Sequence, residues 1–518
     1  MKERRHRWLL RLALLALSIG FRWPVLANAW GLNSDVAVVG LQARHFPQEW
    51  APFLWGSGYQ SSTDSLWAAL LFAIFGSGPT VLLASALALQ VLLTFALFEG
   101  ARRLLAAKGH ADALAFLVAT LFVFTPPSVH SYALNPPRQA SITIAICGLL
   151  LALVAATAPP PRRLWYRGIA VALAGVATYA DPYALLFSPA IFAAAILPAL
   201  FELRAAEATG RGAQAAATGA VLAGGALLGQ IPPWLLRHSA AAQNGTLGLD
   251  PSRFAHNAEI LQKTCLPWAL AVEAWAPKHL MDWELWMAPA GLAPLRWLGA
   301  FAFCALAASA LPLAFSRRIP GLLRVAGLLG LATIVANLAS FLGSVMVFDH
   351  FAMRYLAGLV IAAPFAVLPA AYRLGPRKFA AVLAPWLLSS SICAWVGYLP
   401  FGVTRSAVGR GDDERALRKD LEARGIAAAT ADYWACYRLD FLWEESIIVV
   451  PIHAREERYR PYRPRFEAAS TVAYLYDGGR SREGLDGAAK NAEALGTVTE
   501  RFTEGIFTVF VVKKPQNP

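Results

Sequence analysis

The sequence predicts an α-helical polytopic membrane protein of about 11 transmembrane helices, closed by a small C-terminal α/β domain outside the membrane. Three observations predict it. Of 518 residues, 57% are hydrophobic and 15% charged, against roughly 25% charged in an average soluble domain. The apolar residues gather into runs of about 20, the length a helix needs to cross the hydrocarbon core. The formal charge of +13 belongs entirely to the apolar part: the chain has 28 Lys and Arg against 15 Asp and Glu up to residue 404, and 18 against 18 beyond it. Cations in short clusters between apolar runs mark cytoplasmic loops. Nucleic acid, which needs a basic face on a soluble domain, is excluded as a partner.

Windows of span length centre near residues 17, 90, 120, 149, 174, 193, 222, 304, 335, 363 and 389. Every second connection is basic: Arg4, Arg5 and Arg7 before the first, then Arg102 to Lys108, Arg162 to Arg167, Arg204 with Arg211, Arg317 to Arg324, and Arg373 to Lys378. By the positive-inside rule the N-terminus is cytoplasmic, while the first loop 28–63, the large loop 231–290 and the tail lie outside. The start also imitates a signal peptide ending at Ala27-Asn28-Ala29, and on either reading the next loop emerges outside. Residues 1–404 thus form the membrane domain and 405–518 the outer one.

In the tail, the helix-like segment Asp412 to Arg424 sets Glu414 and Arg418 one turn apart. Ser446–Val450, Thr471–Tyr476 and Phe507–Val512 are β-branched and aromatic, and helical stretches separate them, as in a small α/β domain. No GxGxxG or P-loop occurs. The five cysteines lack CxxC spacing, so neither a zinc site nor a disulfide framework is indicated, although Cys265 and Cys436 share the outer compartment.

Candidate chemistry gathers on the outer side. Asp35 stands just beyond the first span, before a short amphipathic helix over Val36–Phe46; it reads either as that helix's N-cap or as a carboxylate held where lipid head groups lie. Asp64 poses the same choice at a second flat helix, 64–75, and Trp50, Trp55 and Trp67 suit an interfacial platform. Asp181, before Pro182, reads as a cap or a substrate contact.

Ser34 to Leu41 with Ala43-Arg44-His45, Tyr59 through Asp64 to Phe75-Gly76, Thr178 to Pro189 and Arg354-Tyr355-Leu356 together resemble the GT-C polyprenyl-phosphate-sugar-dependent glycosyltransferases, in particular bacterial relatives of the protein O-mannosyltransferase and aminoarabinose transferase families. Ala431-Asp432-Tyr433-Trp434 and Tyr437-Arg438-Leu439 resemble the outer domain of one bacterial branch. The resemblance implies a multi-pass enzyme of the bacterial inner membrane. It would transfer a sugar from a polyprenyl-phosphate donor to an envelope acceptor (glycan, lipid or protein) with inversion, and Asp35 would be the general base. The family's acidic pair stands here as Asp35-Val36 and its later Glu as Asp64, so adjacent carboxylates for a metal are missing. No cofactor is fixed; a divalent cation, if one serves, has Asp35 to bind it.

The departing lipid phosphate needs positive charge. Arg44, His45, Arg138, His350 and Arg354 are the candidates; Arg354 is favoured because a guanidinium fork matches phosphate oxygens. It reads alternatively as a snorkelling anchor. Tyr59, Asp64, Asp181 and Tyr355 complete the substrate-binding set. A lipid-linked-sugar flippase or secondary transporter is the second reading, but it should place ionisable residues mid-span, whereas Glu99, Asp112 and Glu202 fall near cytoplasmic ends. A non-catalytic envelope assembly protein is the third.

Overall fold

A computed structural model describes residues 2–125, 136–205, 208–236, 248–273, 275–277, 285–398, 411–478 and 483–515. Its main helices are α1 (Lys2–Ala27), α2 (Ser34–His45), α3 (Thr63–Phe75), α4 (Pro79–Leu104), α5 (Ala111–Val123), α6 (Gln139–Ala155), α7 (Pro160–Ala180), α8 (Ser188–Ala205), α9 (Ala208–Leu236), α10 (Ala293–Ala308), α11 (Gly321–Gly343), α12 (Ala357–Ala366) and α13 (Leu368–Tyr398). Each apolar window of the sequence lands on one of these. Among the described residues, six stretches are long and apolar enough to cross a membrane: Arg4–Ala27, Pro79–Leu104, Gly212–Gly229, Ala290–Ala314, Gly321–Gly343 and Leu368–Val396. The expected eleven is therefore met as helices rather than as full-length spans. The 13 residues of α5 reach only about 20 Å, short of a core of about 30 Å. In α7, Arg162, Arg163 and Arg167 interrupt the apolar run.

Helices α7 and α9 pack through glycines. A Cβ added at Gly175 would lie 2.7 Å from the Gly229 Cα, and one at Gly229 would lie 2.7 Å from the Ala172 carbonyl oxygen. Small residues let the two backbones close where lipid supplies no hydrophobic drive. The bundle core unites Leu97, Leu149, Phe187, Phe303, Phe365 and Trp386 among many others.

The tail forms α14 (Asp412–Ala423), α15 (Tyr433–Leu442), α16 (Tyr462–Ala468) and α17 (Leu485–Leu495) around a five-stranded sheet. A short ribbon in the large loop pairs β1 (Trp275–Pro277) with β2 (Leu285–Met287). In the tail sheet, β3 (Ala428–Ala431), β4 (Ile448–Pro451), β5 (Thr471–Asp477), β6 (Thr497–Glu504) and β7 (Phe507–Lys513) take the order β4-β3-β5-β7-β6. Pairing is parallel among the first three and antiparallel at β5–β7 and β6–β7. The three strands the sequence marks are found. Two were hidden: β3 is three alanines and a threonine, without a β-branched signature, and β6 is a largely exposed edge with two glutamates. Glu414 pairs with Arg438 instead of Arg418, whose partner is Glu422 at 2.7 Å. None of the five cysteines is in a disulfide bridge.

A second hydrophobic core crosses the compositional boundary. Val36, Val39 and Leu41 of α2 and Ala68 and Phe72 of α3 share it with Tyr437, Leu439, Phe441 and Leu442 of α15. The rings of Phe72 and Phe441 stack at 6.2 Å. The first loop and the tail are thus one packed body.

Candidate active site

Helix α2 begins two residues earlier than it would if the Asp35 carboxylate capped it. Asn33 is the N-cap, its side chain accepting the Val36 N–H at 3.0 Å. Asp35 is released from capping and lies in the first turn, where the helix dipole favours a negative charge. Its Oδ1 accepts the Tyr433 hydroxyl at 2.5 Å and lies 3.8 Å from Nη2 of Arg458. Its Oδ2 accepts no hydrogen bond among the described residues, and the side chain is 33% exposed.

Arg458 is fixed in turn. Its Nε donates to the Tyr433 hydroxyl oxygen at 3.1 Å and its Nη1 to the Gly56 carbonyl at 2.9 Å. Gly56 has φ +65°, and a Cβ there would lie 2.8 Å from the Arg458 Cα. Only glycine meets both demands.

Arg354 lies on the turn His350–Leu356 ahead of α12. It is exposed, donates from Nη2 to the Tyr355 hydroxyl at 3.2 Å, and has no carboxylate partner among the described residues. Asp35 and Arg138 lie within its electrostatic reach. The Tyr355 ring is shared: the guanidinium of Arg354 lies 5.1 Å from its centroid and that of Arg138 5.6 Å.

Arg138 is neutralised where Arg354 is not. Its Nε meets Asp181 Oδ2 at 2.8 Å, and that oxygen also accepts Gln60 Nε2 at 2.5 Å. Oδ1 of Asp181 caps the turn Pro182–Leu186 through the Tyr183 N–H at 2.7 Å. Asp181 is thus a cap through one oxygen, as one of its two readings expected, and a partner of Arg138 and Gln60 through the other. Tyr59 sits among Arg138, Asp181, Tyr355 and Arg458, and burial pushes its phenol pKa up.

Asp64 caps a helix other than its own. It accepts the N–H groups of Ala140 at 2.8 Å and Arg138 at 3.0 Å, at the start of α6. Burial pushes its carboxyl up to about 7, against the pull of those N–H groups. Arg138 is held there in a left-handed conformation, φ +82°. Asp64 thus supports the site by fixing Arg138.

Arg44 and His45 are drawn elsewhere. Arg44 donates to the Phe441 carbonyl at 3.2 Å and lies 3.6 Å from Glu445; His45 Nε2 lies 2.7 Å from the Glu445 carboxylate. Both fasten α2 to the tail instead of facing Asp35 and Arg354. The hydrogen bond to Glu445 raises the His45 pKa above 6.5, against burial and the nearby Arg44 charge, while Glu49 adds to the rise. A raised folded value means that the stabilisation is complete below 6.5 and is lost as pH climbs through that value. Thermal unfolding followed from pH 6 to 9 should show this loss, and His45→Gln should abolish that part of the slope. The side chain of His350 lies outside the described residues.

The carboxylates do not converge on a metal. Asp64 is spent on backbone N–H groups and Asp181 on Arg138 and Gln60, which leaves Asp35 alone. Among the described residues no group of three His, Cys, Asp or Glu could hold an ion. Arg458 and Arg354 bring positive charge to the surroundings of Asp35. Sequence reasoning missed Gln60, Tyr433 and Arg458. Asp432, capping α15 through the Trp434 N–H at 3.0 Å, signals that a helix starts beside Tyr433 but not what the phenol meets.

No protein-family model and no curated protein sequence matches the chain. Among solved structures it is similar to ArnT from Cupriavidus metallidurans bound to undecaprenyl phosphate, with a TM-score of 0.52 and 12% identity over 97% of this chain and 98% of that one. The apo state of ArnT matches with a TM-score of 0.50 and 12% identity, over 96% and 98%. The oligosaccharyltransferase of Archaeoglobus fulgidus gives 0.46 and 12% identity, over 91% and 69%. At this identity the likeness is one of fold, and that fold, running nearly end to end through both chains, is the GT-C fold of ArnT.

Proposed function

We propose that this protein transfers a sugar from a polyprenyl-phosphate-linked donor to an acceptor on the outer face of a bacterial inner membrane, with Asp35 as general base. The observation that carries the proposal is a pairing of opposites: a carboxylate with one uncommitted oxygen and, within its field, an exposed arginine with no carboxylate partner among the described residues. Oδ2 of Asp35 takes the proton of an acceptor hydroxyl as its oxygen attacks the anomeric carbon. The bond from that carbon to the lipid phosphate breaks, the phosphate keeps the electron pair, and Arg354 meets its growing charge. A single displacement inverts the anomeric configuration. ArnT binding undecaprenyl phosphate supports a lipid-phosphate donor here. In this reading the N-terminus is cytoplasmic, the tail lies outside among membrane lipids and envelope acceptors, and the acceptor is a glycan, lipid or protein.

The test is transfer of label from a panel of radiolabelled undecaprenyl-phosphate sugars to added bacterial envelope fractions by the purified protein in liposomes. One donor should be consumed. Arg354→Ala should weaken binding of that donor about 10- to 100-fold, the worth of a charge-assisted contact to phosphate. Unchanged donor affinity would make Arg354 an anchor. Labelled lipid that crosses the bilayer without giving up its sugar would favour a flippase.

A further inference from the structure

We infer that Tyr433, carried by the C-terminal domain, is a positioning residue for Asp35, held in aim by Arg458. The inference rests on the transferase reading and gives the tail a part in the chemistry.

The chain of contacts is directional. A phenol has one hydrogen to give and lone pairs to receive. The Tyr433 oxygen receives the Nε–H of Arg458 at 3.1 Å, so its own hydrogen is left for Asp35 Oδ1, 2.5 Å away. Arg458 cannot swing aside freely, because its Nη1 is held by the Gly56 carbonyl at 2.9 Å. The Tyr433 ring is buried and rests edge-on against Trp434 at 5.2 Å and Tyr437 at 5.9 Å. Everything that could let the hydroxyl drift is occupied.

The result is a division of labour within one carboxylate. Oδ1 is held from the tail, and Oδ2 remains to receive the acceptor's proton. A base works only when its oxygen, the acceptor hydroxyl and the anomeric carbon line up, and a misplacement of about 1 Å can cost about 100-fold. An aspartate on the first turn of a helix at the mouth of a bundle has two rotatable bonds with which to miss. Tyr433 removes that freedom without touching the substrate.

The experiment compares wild type, Tyr433→Phe, Arg458→Lys and the double variant Asp35→Asn/Tyr433→Phe in liposomes, using whichever undecaprenyl-phosphate sugar wild type consumes. Tyr433→Phe keeps the ring and loses the hydroxyl. Its kcat should fall about 10- to 100-fold with the donor KM within about twofold of wild type. Adding it to Asp35→Asn should slow the residual reaction no further, because the group it positions is already gone. Arg458→Lys keeps the charge but not the fork, and should show a smaller fall, again in kcat; it carries the test should Tyr433→Phe fail to insert. Unchanged kcat in both variants, a loss carried by KM, or full multiplication with Asp35→Asn would each overturn the inference while leaving the transferase standing. No consumption of any donor by wild type would overturn the transferase reading, and this inference with it.

Discussion

Asp35→Asn is expected to lower kcat by about 10²- to 10⁴-fold while the donor KM stays close to wild type. Asparagine is nearly the same size, and its Oδ1 can still accept the Tyr433 hydroxyl now bound at 2.5 Å, so the local geometry survives. What it lacks is an oxygen able to take a proton. The residual rate would come from orientation and from Arg354. The helix supports this reading over a capping one: with Asn33 capping α2, the amide at position 35 removes no backbone interaction, and the thermal midpoint should hardly move. Full activity in the variant would remove Asp35 as the base; a collapse in stability would return it to a structural role.

Arg438→Met should cost about 3–5 kcal/mol of stability. Arg438 and Glu414 form an ion pair with side chains 0% and 2% exposed, and Arg438 also donates to the Trp30 carbonyl at 3.1 Å. Removing the arginine leaves a buried carboxylate with no counter-charge, and removes one tie between the tail and the first loop. Arg438→Met with Glu414→Leu should recover most of the loss, because two apolar side chains of similar volume replace the pair without stranding a charge. Unfolding of the detergent-solubilised protein followed by tryptophan fluorescence suits the measurement, since the Trp443 indole donates to the Glu414 carbonyl at 2.9 Å. A single variant within about 1 kcal/mol of wild type would mean that the pair is not what holds α14 to α15.

Apolar windows and mixed-charge tail were legible because each is a local property of a stretch of chain. Three strands could be read from β-branched runs; β3 could not, since a central parallel strand of alanine looks like helix. At the site, Asp35, Asp181 and Arg354 could be picked out as candidates from where the expected topology puts charge. Their partners could not. Tyr433 meets Asp35 across 398 positions and Arg458 meets Gly56 across 402, and no spacing rule spans such distances. Asp64 shows the same limit: it was recognisable as a cap, but the helix it caps begins 75 residues later. Arg44 and His45 looked like phosphate ligands because the sequence does not reveal that Glu445 lies beside them.

The core shared by α2, α3 and the tail also has a timetable. The ribosome makes Phe72 long before Phe441, and at about 5–20 residues per second the two are separated by roughly 20 to 70 seconds. Through that interval the apolar face of the first loop waits for its partner beside a membrane surface able to shelter it. The carboxylate at its head is seated only when Tyr433 and Arg458 have been delivered, so a chain truncated before them would carry the bundle but not a finished site.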